Sequence, residues 1–121
     1  MADAKESLEE AMKIDGAIGA ALVDIKSGMC LGTAGGGKHL NLDVAAAGNT
    51  EVVRSKMKVM SSLGLKDNIE DILITLDTQY HLIRMLKSAG SLFMYLALDR
   101  EKSNLGMARF KLGSIEANLT T

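Results

Sequence analysis

Leu92-Phe-Met-Tyr-Leu-Ala-Leu-Asp99 is the stretch whose reading decides the fold. Laid out as a strand, its side chains alternate between two faces. Leu92, Met94, Leu96 and Leu98 point one way, and Phe93, Tyr95 and Ala97 the other. Both faces are apolar, as in a strand with cover on each side. The segment therefore reads as a central strand with helices on both faces of its sheet. Two strands lead into it. Ile69–Asp77 carries Ile72, Ile74 and Leu76 on one face, Asp77-Thr-Gln79 turns the chain into Tyr80–Lys87, and Ser88-Ala-Gly-Ser91 turns it again.

Beyond Asp99 a polar run to Asn104 precedes a last helix. Its apolar seam is Leu105, Ala108, Leu112, Ile115 and Leu119, spaced three and four apart, with Met107 and Phe110 off the seam. Upstream, Gly16–Ile25 is almost continuously apolar and reads as a buried strand. Lys26-Ser-Gly28 is a tight-turn signal, and Met29-Cys-Leu31 begins a second strand of a hairpin. Gly32-Thr-Ala-Gly-Gly-Gly-Lys38 reads as a flexible loop. At the start, Asp3–Ile14 is a short amphipathic helix with Ala4, Leu8, Ala11 and Met12 on one face, and Asp3 with Glu6 as a capping pair.

The longest helical segment runs from Asn41 to about Leu63. On a helical wheel Leu42, Ala45, Ala46, Val52, Val53, Met57, Val59, Met60 and Leu63 share one arc, with Asn49 and Lys56 inside it. That arc spans roughly 160°, wider than the ~100° stripe of a helix that buries one side. A second apolar surface would use the excess. The expected self-contact face is Asn49, Val52, Val53, Lys56, Met57 and Met60 together with Ile72 and Ile74. Asn49 is expected to fix its register, as buried polar residues do in coiled coils.

Composition narrows the function. The 121 residues carry 47% hydrophobic and 24% charged side chains, an ordinary globular balance for one domain spanning 1–121. The 14 Lys and Arg nearly cancel 15 Asp and Glu, which leaves no strong field to gather nucleic acid or an anionic membrane. Aromatic residues are only 3%, few for stacking bases. Cys30 is the only cysteine, so neither an intramolecular disulfide nor a thiolate-rich zinc site can form. No apolar run approaches the ~20 residues of a spanning helix, and the first residues are acidic where a signal peptide would be apolar. A cytoplasmic protein without membrane insertion is the expectation.

One motif invites a nucleotide. Gly32-Thr-Ala-Gly-Gly-Gly37-Lys38-His39 matches a phosphate-binding loop through its lysine, and Ile72-Leu-Ile-Thr-Leu-Asp77 imitates a strand ending in a magnesium-binding Asp. However, His39 stands where the hydroxyl that ligates magnesium belongs. Tight turns between strands also argue against the parallel sheet of such proteins. A nucleotide-binding enzyme using this loop is the alternative reading; the preferred one has no catalytic residue, cofactor or metal site. His39 and His81 lack metal-spaced partners, and His81 reads as a satisfied structural histidine or a surface one. Glu70 and Asp71 are expected on opposite faces of a strand, and Arg54 with Lys58 on a solvated helix face. Arg54, Arg84, Arg100 and Arg109 are the chain's arginines, none obviously borne on a loop as an arginine finger.

The order of elements and their local wording resemble the roadblock/dynein light-chain superfamily, whose bacterial members include partners of a Ras-like GTPase that sets cell polarity. The resemblance rests on Ala21-Leu-Val-Asp24-Ile-Lys-Ser-Gly28, on Asp43-Val-Ala-Ala-Ala-Gly48, on the meander and on the closing helix, from about Gly16 to Leu119. It implies an α+β, roadblock/profilin-like sandwich: a five-stranded antiparallel sheet in the order 2-1-5-4-3, the long helix on one face and the terminal helices on the other. It also implies dimers, with itself or a paralogue, and a role as regulator of a small Ras-like GTPase or as an assembly platform.

Overall fold

The computed structural model describes residues 2–38, 40–87 and 90–119. Its elements are α1 (Ala4–Met12), β1 (Ala17–Asp24), β2 (Cys30–Gly35), α2 (Leu42–Ser62), β3 (Asp71–Thr75), β4 (Gln79–Met85), β5 (Leu92–Asp99) and α3 (Leu105–Asn118). The strands form one antiparallel sheet in the order β2-β1-β5-β4-β3, as the resemblance implies. β5 is central, and all its residues from Leu92 to Leu98 are buried.

The two faces of β5 seed two cores. Leu92, Met94, Leu96 and Leu98 pack with Leu22, Leu82 and with Leu8, Ala11, Ala108 and Leu112 of α1 and α3. Phe93, Tyr95 and Ala97 pack with Ala21, Val23, Ile83 and with Leu42, Ala46 and Val53 of α2. The helices begin where short polar side chains can take up their first amides. Asp3 and Glu6 close a capping box, with the Glu6 amide donating to Asp3 Oδ1 at 2.8 Å. Asn41 Oδ1 accepts from the Asp43 and Val44 amides, and Asn104 Oδ1 from the Met107 amide.

Two expectations are corrected here. The segment read as a loop from Gly32 is strand as far as Gly35. Glycine and alanine hide the strand's periodicity, yet they are what its position requires. α1 lies directly on β2: a Cβ at Gly32 would stand 2.9 Å from Leu8 Cδ1, and one at Gly35 would stand 2.5 Å from Met12 Cε. The β1–β2 ladder also shifts register between Leu22 and Val23, a bulge at the start of β2. Secondly, Glu70 and Asp71 do not diverge. β3 starts only at Asp71, so strand alternation does not govern Glu70, and both carboxylates approach Arg84 Nη1, at 3.5 and 3.8 Å.

That pair belongs to an ionic cluster under α3. Arg84 Nε donates to Glu116 Oε1 at 3.4 Å, and Arg109 clasps Asp71 through two hydrogen bonds of 2.9 and 2.8 Å. It ties α3 to the β3–β4 side of the sheet.

Candidate interaction surface

α2 sits off-centre. It packs over β1 and β2. Part of that placement comes from Arg54, whose guanidinium donates to the carbonyls of Ile25 and Lys26, both at 2.6 Å, while pairing with Glu51. Far from a solvated face, Arg54 clamps the helix to the end of β1 and the turn beyond it. Thr50 lies buried beside Gly28 of the same turn, with its hydroxyl donating to the Ala46 carbonyl at 2.7 Å.

With α2 held there, the β3–β4 half of the same sheet face has less cover. Ile72, Ile74 and His81 are only half-buried. The flank of α2 that continues from Asn49 carries Val52, Lys56 and Met60, with Val59 and Leu63 beside them. Val52 is 37% exposed, Val59 47% and Leu63 66%. Among the described residues β3 pairs only with β4, so the sheet ends there at an edge strand next to this apolar ground. Val53 is the correction in this set. It is 0% exposed and packs in the α2-side core, so it belongs to the protein's own interior. Met57, 39% exposed, lines a groove with Ile69, Glu70 and Met85. Val59 and Leu63 stand in the same wheel arc as the expected contacts and extend the exposed strip.

A polar network crosses this ground. His81 Nε2 lies 2.7 Å from Gln79 Oε1, and Nδ1 lies 3.1 Å from the Tyr95 hydroxyl; with the ring proton on Nε2, that nitrogen donates to the amide oxygen and Nδ1 accepts from the hydroxyl. The two rings meet edge to face at 5.3 Å, and Asn49 of α2 faces the same hydroxyl. Burial lowers the His81 pKa, and burial pushes the Tyr95 phenol up to about 12. His81 is thus a satisfied histidine whose charged form burial disfavours. Nothing in its immediate sequence announces Tyr95, which is fourteen residues away.

The glycine loop has a different geometry from a phosphate cradle. Gly35, Gly36 and Gly37 take positive φ, and Gly37 and Leu40 exchange backbone hydrogen bonds of 3.2 Å. The first amides of α2 are taken by Asn41, whereas a bound phosphate needs such amides free. His39 lies outside the described residues. Cys30 Sγ lies 3.6 Å from the Leu42 carbonyl, and burial pushes its thiol up to about 11.

All four arginines are engaged. Besides Arg54, Arg84 and Arg109, Arg100 donates to the Leu76 carbonyl at 2.8 Å and lies over the Tyr80 ring. Among the described residues, no group of three or more His, Cys, Asp or Glu is placed to hold a metal ion. No helix among them is long and apolar enough to cross a membrane.

No family model matches the chain, and no curated protein matches it by sequence. Solved structures do match it by shape. MglB of Myxococcus xanthus superposes with a TM-score of 0.81 at 14% identity, over 93% of this chain and 80% of that one. A Roadblock/LC7 domain from Streptomyces avermitilis gives 0.81 at 11% identity, over 96% and 93%. An MglB with a tetrameric arrangement gives 0.78 at 19%, over 93% and 81%. At these identities the likeness is one of fold. The chain has the roadblock/LC7 fold that its sequence resembles.

Proposed function

We propose that this chain is a non-enzymatic interaction module that pairs with a second copy through α2 and β3, and that the pair binds and regulates a small Ras-like GTPase or serves as an assembly platform. The observation that supports pairing is the half-covered sheet face, where an apolar flank of α2 runs beside an unpaired edge strand. A two-fold axis there would set the strip of Val52, Lys56, Met60, Ile72 and Ile74 against its own copy, each contact occurring twice. That one structural neighbour is an MglB in a tetrameric arrangement is consistent with self-association on this fold.

The GTPase partner rests on the sequence resemblance. Each arginine has partners within the chain, which favours regulation by ordering the partner's own residues over an arginine inserted at the transferring phosphate. Such a module must bind one nucleotide state more tightly than the other, since equal affinity shifts nothing. Sedimentation equilibrium with the wild type and Val52→Asp tests the pairing; a monomeric wild type at high concentration refutes it. Pull-downs from lysate loaded with a GTP analogue or with GDP test the partner. Recovery of a GTPase in one state supports the reading, and recovery of none in either state removes it.

A further inference from the structure

We propose that the contact between the two copies is proton-gated, closing only while His81 is neutral. The inference rests on the pairing reading above, because it concerns the groups that the second copy would cover. His81 occupies the middle of that ground. It stands opposite Ile74 of β3 and Ala97 of β5, with Gln79 and Ile83 two residues away on its own strand and Tyr95 against its ring. From α2, Asn49 faces the Tyr95 hydroxyl that contacts the ring.

These neighbours satisfy a neutral imidazole, and a second ring proton has to be accepted by the Tyr95 oxygen, whose hydroxyl otherwise donates to the ring. Nε2–H donates to Gln79 Oε1, and Nδ1 accepts from Tyr95. Adding a proton turns Nδ1 into a donor. The Tyr95 hydroxyl must then rotate away from the ring toward the Asn49 side, and a net positive charge faces Ile72 and Ile74. Among the described residues no carboxylate lies within hydrogen-bond distance of the ring, whose side-chain partners are Gln79 and Tyr95. Asp99 pairs across from Gln79 and keeps its charge while its Oδ1 accepts from the Glu101 amide at 2.9 Å, but it does not contact the imidazole. Asp77, Asp99, Arg100 and Glu101 line the groove beside Gln79, and Lys56, two turns along α2 from Asn49, adds further positive charge on the same flank. In a free chain water can still reach the half-buried ring. Under a second copy's Val52 and Met60 the imidazolium would lose that water with no partner in exchange.

The sign follows from this difference. If covering depresses the His81 pKa further, the free chain binds more protons than the pair between the two values. Association then weakens as pH falls through the free chain's His81 pKa, which burial already places below the ordinary histidine value. Each pair contains two copies of His81, so the dissociation constant rises by up to about a hundredfold per pH unit in that window, two protons being taken up.

Sedimentation velocity across a concentration series, at pH 7.5 and 5.0, measures the effect in the wild type and in His81→Gln, which keeps a polar group that cannot charge. The expected result is at least a tenfold weaker wild-type pairing at the lower pH and a flat response in the variant. A wild-type constant that does not change overturns the gating and leaves the pairing intact. A monomer at both pH values and every concentration overturns both. An equal pH response in His81→Gln assigns the effect to another group and also overturns it. Should the variant misfold, a nitrogen-15 titration of the wild-type imidazoles decides. The His81 pKa should drop as protein concentration is raised through the association range, and a concentration-independent value overturns the proposal.

Discussion

Val52 and Val53 are neighbours in sequence, yet truncating them to alanine should have different consequences. Val53 is 0% exposed in the α2-side core, whereas Val52 is 37% exposed on the open flank. Truncating Val53 removes two methylene equivalents from the interior, about 1.6 kcal/mol of transfer free energy at ~0.8 each. A residual cavity of ~35 Å³ adds about 0.8 kcal/mol. Alanine's better helix propensity returns about 0.5 kcal/mol, leaving a loss near 2 kcal/mol. For 121 residues the unfolding entropy is about 0.25 kcal/mol per kelvin, so Tm falls by about 8 °C. Val52→Ala loses about two thirds of the transfer contribution, leaves no closed cavity and gains the same propensity. Its net cost in the single chain is about 0.5 kcal/mol, or ~2 °C. Circular-dichroism melts at a concentration below any self-association measure both values without contribution from pairing. Equal losses of Tm in the two variants would refute the division of α2 into a core side and an open side. So would an unchanged melt for Val53→Ala accompanied by weakened association.

Gly35→Ala should destabilise by about 2–3 kcal/mol in the same melts, because φ is +69° and the new methyl meets the Ile18 carbonyl oxygen at 2.7 Å. Glu116→Gln, which removes a buried charge from Arg84 while Glu70 and Asp71 stay near it, should cost about 1–2 kcal/mol by calorimetry. A gain in stability would show that the burial of Glu116 costs more than its pairing contributes. Cys30, raised from an ordinary 9.0 to about 11, should react with a disulfide reagent at pH 8 at least about tenfold more slowly than in the urea-unfolded chain, the smaller thiolate fraction outweighing its greater nucleophilicity. Its rate should rise about tenfold per pH unit until the thiol ionises. Equal rates in folded and unfolded protein would remove the burial argument.

Much of the fold was readable because its signals are local. β5 runs from Leu92 to Asp99 as expected, since seven apolar residues in a row admit one environment. The start of α2 was legible from Asn41, whose short side chain caps the helix it precedes. β2 was partly missed because a strand of Gly32, Thr33, Ala34 and Gly35 has no hydrophobic period; its small residues are there for Leu8 and Met12 of a different element. Arg54 was misread for a related reason. A wheel places it away from the apolar arc, but its partners are carbonyls twenty-eight and twenty-nine residues upstream. The exposed flank of α2 was legible as an arc and not residue by residue. Periodicity gives the width of a helix's apolar side, whereas the lateral seat of α2 over β1 and β2 decides that Val53 is covered and Val52 is not.

The two borders of the sheet differ in a way that bears on stoichiometry. At β3 the border is a strand in unbroken register with β4, flanked by apolar side chains. At β2 it starts in a bulge and ends in three left-handed glycines that bend the chain back toward Leu40. A regular strand can add a neighbour, while a bulged, sharply turned one presents its amides out of line. A building block with one receptive border has a valence of one. If copies join at β3, each junction consumes the only such border on both, and growth along the sheet halts at two; the same fold with two regular borders would be free to extend into a ribbon.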